Sequence, residues 1–374
     1  MSFVARACAA LTLSLPVLAQ GFDPAPEGEK FHHFIGEFEG AGKYVPAPGM
    51  DPVDWTSTGT GRLVLGGHYV QLDETVATAF GPMEFRTMYG WDGEASKAIS
   101  VSLGAMGTSS PDVNWIDGKL VSTFDSYDEV GTPFVERTIT EVTAEGYSFS
   151  MERMSGLNDS FQHVWGRVKR TSREPGAAKE ITAEGPAETL APLAPMIGNW
   201  NIKGTVAMMG MKMEITATEA IEWRYDGLVL SGSIVGQPGD YHGQWYMTWD
   251  PAAECFNHVV FSSMGEFSMG QARRSGDQLI TTSTRTADGE SLVERSVVQF
   301  SEAGVVTATT DHLIGSADPV RAFEAIYERA PGAKQVSFKA GGCCDKAQKA
   351  GGECAHPCCV KASAEGKVCE RCNG

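Results

Sequence analysis

Phe34-Ile35-Gly36-Glu37-Phe38 returns 162 positions later as Met196-Ile197-Gly198-Asn199-Trp200, with the glycine and the aromatic residue two positions after it kept in place. Two further matches share a spacing of 158 positions: Trp91-Asp92 with Trp249-Asp250, and Phe134-Val-Glu-Arg137 with Leu292-Val-Glu-Arg295. The matches occur in the same order in both halves. A repeat of this length is a whole domain rather than a solenoid unit, so the chain is a tandem duplication.

The duplication divides the 374 residues into segments. We predict a first domain at 28–171, a polar linker at 172–187, a second domain at 188–330 and a Cys-rich tail at 331–374. Residues 1–19 carry one basic residue followed by a short apolar run that ends in small residues, which is typical of a secretory signal peptide. We therefore expect a periplasmic or secreted protein.

The apolar residues of each copy recur mainly at every second position, in short runs separated by turn-forming sequences. In the second copy the runs are 198–206, 213–223, 228–235, 243–249, 255–261, 278–283, 292–300, 305–310 and 322–327. About nine or ten strands with short turns indicate a meander, and a sheet that long loses its exposed edges by closing on itself. We predict an all-β fold of two tandem antiparallel up-and-down barrels, with a two-sheet sandwich as the alternative.

The start of each copy also carries a resemblance. Gly36-Glu-Phe38 and Gly198-Asn-Trp200 resemble the Gly-x-Trp that opens the first strand of lipocalin-like (calycin) barrels. The resemblance implies an arginine near the last strand that packs over this aromatic residue, and Arg170 and Arg329 are placed to do so. The second copy, with its Trp-Asp-Pro turn, is also similar to a widespread bacterial barrel family of unknown function.

Charge and hydropathy exclude two classes of partner. The chain has 47 acidic and 30 basic residues, a net charge of −17, whereas phosphate binding needs a surplus of Lys and Arg. After the signal segment no apolar run approaches the ~18 residues that cross a bilayer. We expect neither nucleic-acid binding nor a membrane span.

The repeated Glu-Arg dipeptides, with Arg137 and Arg295, are the best polar candidates inside the barrels. On a strand one side chain of each dipeptide faces the lumen and the other faces out. An inward arginine could hold an anionic ligand group in bidentate fashion. The alternative is an ion pair in the barrel wall with a cross-strand partner.

A second resemblance concerns haem. The run at 36–46 resembles the opening of nitrobindin-type haem barrels, which implies haem bound through a histidine late in the domain, where His163 lies. Phe38 stands where that family has Trp, and the second copy has no matching histidine. These departures argue against haem and favour a packed strand histidine.

The tail holds the densest cluster of potential metal ligands. It is a tandem repeat of period 15, in which the candidate ligands are Cys343, Cys344, Cys354, His356, Cys358, Cys359, Cys369 and Cys372. A segment this short has no apolar core, so a metal or disulfides must hold it together if it folds. Thiolates with an imidazole suit Zn(II) or Cu(I), whereas export favours disulfides, and the number of cysteines in the tail is odd.

These observations predict a protein that binds or sequesters a small apolar or anionic ligand and a metal ion, without turnover. No serine-hydrolase elbow, zinc-protease helix or phosphate-binding loop occurs, so we assign no catalytic residue. Two alternatives stay open. One is an enzyme that uses a barrel lumen on a small apolar substrate, and the other is an envelope protein whose tail is disulfide-bonded to a partner.

Overall fold

The structure, a computed structural model, describes residues 23–93, 95–104, 107–127, 132–155, 159–177, 181–208, 211–237, 241–287, 290–301, 304–314 and 318–330. The predicted signal peptide and the whole tail lie outside these residues. Within them the chain is almost entirely antiparallel β-structure, interrupted by three 3₁₀ helices at Pro26–Phe34, Leu65–Gly67 and Glu188–Met196. The prediction of an all-β protein is confirmed.

The first barrel contains eleven strands. They are β1 (Gly36–Tyr44), β2 (Val53–Val64), β3 (Tyr69–Thr78), β4 (Gly81–Asp92), β5 (Lys97–Gly104), β6 (Gly107–Ser109), β7 (Asp112–Ile116), β8 (Lys119–Tyr127), β9 (Pro133–Thr143), β10 (Gly146–Ser155) and β11 (Asp159–Ser172). Ten of them close a ring in which β1 pairs with both β2 and β11, while the short β6 pairs only with β5. The narrowest contact in the ring is that between β5 and β7, which share the single residue pair Ala98 and Val113.

The second barrel is closed by ten strands in chain order. They are β12 (Gly198–Met208), β13 (Met211–Arg224), β14 (Val229–Gln237), β15 (Tyr241–Asp250), β16 (Cys255–Ser262), β17 (Phe267–Ser275), β18 (Gln278–Ala287), β19 (Glu290–Ser301), β20 (Gly304–Ile314) and β21 (Val320–Arg329). Pairing of β12 with β21 closes the ring. Two closed barrels confirm the predicted architecture over the sandwich alternative.

The two-residue period of the sequence corresponds to the two faces of the barrel wall. Along β13, Ala217, Glu219, Ile221 and Trp223 are buried, whereas the alternating residues Thr216, Thr218 and Ala220 are exposed. This alternation is that of a strand with one face on a core and the other in water. Glu219 is therefore an acidic residue at an inward position.

The base of each barrel is filled by the 3₁₀ helix that precedes its first strand. Phe31 and Phe34 of the first helix are buried, as are Leu190, Leu193 and Met196 of its counterpart. Sequence patterning did not predict these helices, because both are short and the second contains Pro192 and Pro195, which interrupt any helical period.

The expected contact between arginine and the first-strand aromatic residue is present in both barrels. The guanidinium of Arg170 lies 5.6 Å from the ring centre of Phe38, and that of Arg329 lies 4.3 Å from the ring of Trp200. Both aromatic side chains are buried. Phe38 and Trp200 thus occupy equivalent positions, as the repeat predicts.

Strand β17 was missed by the sequence analysis. Its sequence Phe-Ser-Met-Gly-Gln-Ala-Arg-Arg-Ser contains only one fully buried residue, Ala272, so it lacks the apolar alternation of its neighbours. It forms because β16 and β18 on either side pair with its backbone.

The barrels pack against each other through a buried surface that we call the interbarrel interface. Its members from the first barrel are Leu65, Tyr69, Met88, Ile99, Val101 and Leu103, and those that follow in the chain are Ile181, Tyr225, Val229, Tyr246, Val259 and Phe261. Met88 and Tyr246 are 158 positions apart, and so are Val101 and Val259. Each copy therefore uses the same face, as the subunits of a two-fold symmetric dimer do.

Candidate functional site

The repeated Glu-Arg dipeptides place their glutamates, not their arginines, toward the lumen. Glu136 is mostly buried and pairs with Arg153 on the next strand at 2.6 Å. Glu294 is mostly buried and lies 3.0 Å from His312, again on the next strand. Both barrels thus keep an inward carboxylate beside a basic side chain from the following strand.

The arginines of these dipeptides lie on the outer face. Arg137 is half exposed, and its Nη2 donates to the Glu152 carboxylate at 2.7 Å. Arg295 is exposed as well. The position of Arg137 corresponds to the alternative considered above, an ion pair in the barrel wall. This geometry does not support the prediction that Arg137 and Arg295 hold an anionic ligand inside the barrels.

His163 lies in the first barrel beside this pair. Its Nδ1 is 2.9 Å from the Val45 carbonyl oxygen, and its Nε2 is 4.0 Å from Glu136 Oε1. Burial and the neighbouring Arg153 lower the pKa of this imidazole. Both ring nitrogens face protein groups, so the surroundings of His163 do not fit a histidine that binds haem iron.

The second barrel carries the more unusual cluster, centred on Trp245 of β15. The indole Nε1 donates to Glu219 Oε1 of β13 at 2.5 Å, and both side chains are buried. The ring lies flat on Gly232 of β14, where a Cβ would come within 2.1 Å of the indole. A glycine at this position therefore allows the indole to lie against the barrel wall and reach the carboxyl group.

The other side of Trp245 faces a second group of polar residues. The His258 ring packs edge-on against the indole with ring centres 5.9 Å apart. Glu294 lies near His258, accepts a weak hydrogen bond from Ser283 at 3.4 Å and pairs with His312. These residues come from β16, β18, β19 and β20, so they meet across the lumen.

Burial shifts the protonation of two members of this cluster. Desolvation raises the pKa of Glu219 from 4.5 to about 7, against the lowering effect of the Trp245 hydrogen bond. Desolvation lowers the pKa of His258 from 6.5 to about 4, against the raising effect of Glu294. Near neutral pH the His258 imidazole is therefore neutral, and the Glu219 carboxyl group retains a proton far more readily than an exposed glutamate does.

Among the described residues, the first barrel does not repeat the Glu219, Trp245 and His258 side chains. An inward acid of its own is Glu74 on β3, whose pKa is raised by desolvation and lowered in part by a hydrogen bond with Ser57. The strand register places Gly59 at the position equivalent to Glu219, because Gly61 and Ile221 pair with the equivalent glycines Gly36 and Gly198. The two lumens have therefore diverged in their polar residues.

An open depression of about 860 Å³ lies on the first barrel across β1, β2, β9, β10 and β11. Its lining combines aromatic residues such as Trp55 and Trp165 with charged residues such as Lys43 and Arg167. It contains neither the repeated glutamates nor a group of metal-binding residues, so we do not assign the site to it.

Glu219, Trp245 and His258 were not selected from the sequence. A signal for Glu219 is present, since it is the single acidic residue in the inward series Ala217-x-Glu219-x-Ile221-x-Trp223. Nothing in the sequence links it to Trp245, which is 26 positions away and two strands along the wall.

No metal site is found in the described part of the chain, where no group of three or more His, Cys, Asp or Glu side chains could hold an ion. The predicted ligands Cys343, Cys344, Cys354, His356, Cys358, Cys359, Cys369 and Cys372 all lie outside the described residues. Cys255, within the second barrel, is buried as a free thiol. Among the residues that the structure covers, no helix is long and apolar enough to span a bilayer.

Comparison with known proteins gives structural similarity at low identity. No protein-family model matches the chain, and no curated protein matches it at a significant level. A solved protein of the DUF3598 family of unknown function from Nostoc punctiforme is 12% identical, with 81% of this chain and 98% of that chain covered and a TM-score of 0.24.

Two further solved structures match over similar lengths. A putative AttH from Nitrosomonas europaea is 8% identical, covering 82% of this chain and 98% of that chain with a TM-score of 0.13. Kievitone hydratase from Nectria haematococca is 10% identical, covering 86% and 94% with a TM-score of 0.14. Similarity at these TM-scores carries no information about a ligand or a reaction.

Proposed function

We propose that this chain is an exported binding protein whose second barrel holds a small molecule with an apolar body and one protonated amine or other hydrogen-bond donor. The observation that carries the proposal is the Glu219 carboxyl group, buried in the lumen beside Trp245. Trp245 is its only hydrogen-bond donor among the described residues.

A buried carboxyl group without a cationic partner is costly when ionised, which is why its pKa is raised. A ligand amine would supply the missing positive charge and a second hydrogen bond, so binding would return the carboxyl group to its ionised form. The indole and the apolar residues around it would contact the body of the ligand, as is usual in small-molecule sites.

The same proposal includes the segments outside the described residues. The signal-like sequence at 1–19 supports export to the periplasm or the medium. The tail cysteines and His356 support binding of Zn(II) or Cu(I), with disulfides as the alternative.

The lumen site is tested by calorimetry on the full chain with nonylamine and with nonanoate, which share one hydrocarbon body and differ in charge. We expect the amine to bind more tightly than the acid, and Glu219→Gln to weaken amine binding about tenfold or more. Glu214→Gln, an exposed position on the same strand, is the matched control and leaves binding unchanged. Equal amine binding by wild type and Glu219→Gln contradicts the site.

A second candidate function is supported by the same carboxyl group. An acid with a pKa of about 7 in a desolvated cluster has the proton affinity that general acid–base catalysis needs. Deuterium exchange at the α-carbon of small apolar ketones in D₂O measures such proton transfer. Exchange that is faster than in buffer and disappears in Glu219→Gln supports an enzyme. Exchange at the buffer rate contradicts catalysis and leaves binding as the proposed function.

A further inference from the structure

We infer that the interbarrel interface contains a binding site for a small monovalent anion, chloride or a short carboxylate, between Arg86 and Tyr225. The first observation is an imbalance of buried charge. Asp73 of β3 is almost fully buried and pairs at 2.6 Å with both Arg62 and Arg86. Two guanidinium groups share one carboxylate, so the cluster carries one unmatched positive charge.

The groups around this cluster do not correct the imbalance. Gln71 donates to Asp73 at 2.8 Å, and Arg86 Nη1 donates to the hydroxyl of Tyr246 in the second barrel at 3.2 Å. Tyr246 in turn donates to Gln244 at 3.0 Å. The nearby Arg224 is paired with Glu222 and so adds no net charge.

The second observation is independent and concerns unsatisfied donors. Arg62 Nε and the hydroxyl of Tyr225 are fully buried and have no hydrogen-bond partner among the described residues. Tyr225 is 3% exposed and lies close enough to Arg86 and Asp73 for their charges to act on its phenol. Burial raises the pKa of this phenol, so it stays a neutral donor and cannot itself supply the missing negative charge.

Buried donors without partners are rare in folded proteins, and an unmatched buried charge is destabilising. A water molecule would satisfy the donors but leave the charge. An anion bound between the Arg86 guanidinium and the Tyr225 hydroxyl supplies the missing negative charge and accepts a hydrogen bond from that hydroxyl, because N–H and O–H donors to an anion form charge-assisted hydrogen bonds.

The test is thermal unfolding of the full chain at constant ionic strength, with sodium gluconate replaced stepwise by sodium chloride or sodium formate. We expect the midpoint to rise with a saturable dependence on chloride, formate or both, as a ligand that binds only the folded state requires. Broadening of the ³⁵Cl resonance by the protein gives a second readout in the chloride series.

Tyr225→Phe makes the test sharper because its effect on stability should differ between the empty site and the anion-bound site. In gluconate the substitution removes an unsatisfied hydroxyl and should not lower the midpoint, whereas in chloride or formate it should weaken the apparent anion affinity about tenfold. Tyr69→Phe is the matched control: its hydroxyl lies in the same interface and donates to the Glu266 carbonyl oxygen at 2.7 Å, so its loss should lower the midpoint equally in all three salts.

Two results overturn the proposal. One is identical wild-type midpoints in gluconate, chloride and formate with no ³⁵Cl broadening. The other is an anion dependence that Tyr225→Phe leaves unchanged, which would place the bound anion elsewhere on the molecule.

Discussion

At the scale of single residues, the proposed function depends on polar side chains that the barrel wall turns inward. Glu219 and His258 lie on either side of one indole, and both are pushed toward their neutral forms by burial. Because one is an acid and the other a base, their effects on stability have opposite dependence on pH.

The Glu219 carboxyl group makes the folded state less stable as the pH rises. Below pH 4.5 it is protonated in both states, and between 4.5 and about 7 only the unfolded chain loses the proton. Glu219→Gln should abolish this loss, and so gain up to roughly 3 kcal/mol relative to wild type between pH 4 and pH 8. Urea unfolding across this range measures it, and Glu214→Gln should follow the wild-type curve.

The His258 imidazole acts in the opposite direction. As the pH falls below 6.5, the imidazole becomes protonated in the unfolded chain, whereas in the folded state it stays neutral down to about pH 4. The folded state therefore loses stability on acidification. His258→Gln should flatten this decline in the same urea titrations, whereas substitution of the exposed His32 by Gln should not. If the free energy of unfolding falls equally steeply with decreasing pH in His258→Gln and in wild type, burial does not shift the pKa of this imidazole.

At the scale of elements, the first and last strands of each barrel also meet at the base through one arginine packed over one aromatic residue. Trp200 of β12 and Arg329 of β21 are paired in register, and the indole also donates to the Met196 carbonyl of the preceding helix at 2.8 Å. The base thus joins the first strand and the helix just before it to the last strand, which lies at the other end of the domain in sequence.

Trp200→Ala should destabilise the second barrel by about 3–5 kcal/mol, as truncation of a large core aromatic residue does. Denaturant unfolding followed by circular dichroism measures this effect. Phe80→Ala, at an 81% exposed hairpin residue, is the control and should change stability by less than about 0.5 kcal/mol. A similarly small effect of Trp200→Ala would mean that the base contact does not hold the barrel closed.

At the scale of the whole molecule, the two barrels share an architecture but differ in part of their polar lining. They share their wall, base contact, packing face and the inward glutamates Glu136 and Glu294, yet the desolvated acids Glu74 and Glu219 lie on strands that are not equivalent. The tail differs from both barrels in composition, since it holds seven of the nine cysteines. Metal binding and ligand binding are therefore expected in separate segments of the chain.

Deletion of residues 341–374 should abolish uptake of Zn(II) or Cu(I) while leaving barrel unfolding nearly unchanged. Native mass spectrometry and denaturant unfolding of both forms measure the two effects. Cys354→Ser with His356→Ala should weaken uptake, whereas Cys255→Ser, a buried thiol in the second barrel, should not. A freshly purified chain that is fully oxidised, and takes up neither metal after reduction, would instead support the disulfide alternative.

The sequence by itself determined the duplication, the all-β class, the closed barrels and the arginine over each first-strand aromatic residue. The first three features follow from local periodicity and from matches between the two copies, whereas the arginine was implied by the resemblance to lipocalin-like barrels. The strand β17 was not predicted because its sequence shows no alternation of apolar and polar residues, although its neighbours pair with it.

Only the tertiary structure decided which side chain of each Glu-Arg dipeptide faces the lumen, and which residues meet there. The alternation of side chains along a strand predicts that Glu294 and Arg295 point to opposite faces, but barrel closure determines which face is inside. The contacts of Trp245 with Glu219 and His258, and of Asp73 with two arginines, depend on strand register and barrel packing. These contacts join residues on different strands or in different barrels, and no local pattern in the sequence records them.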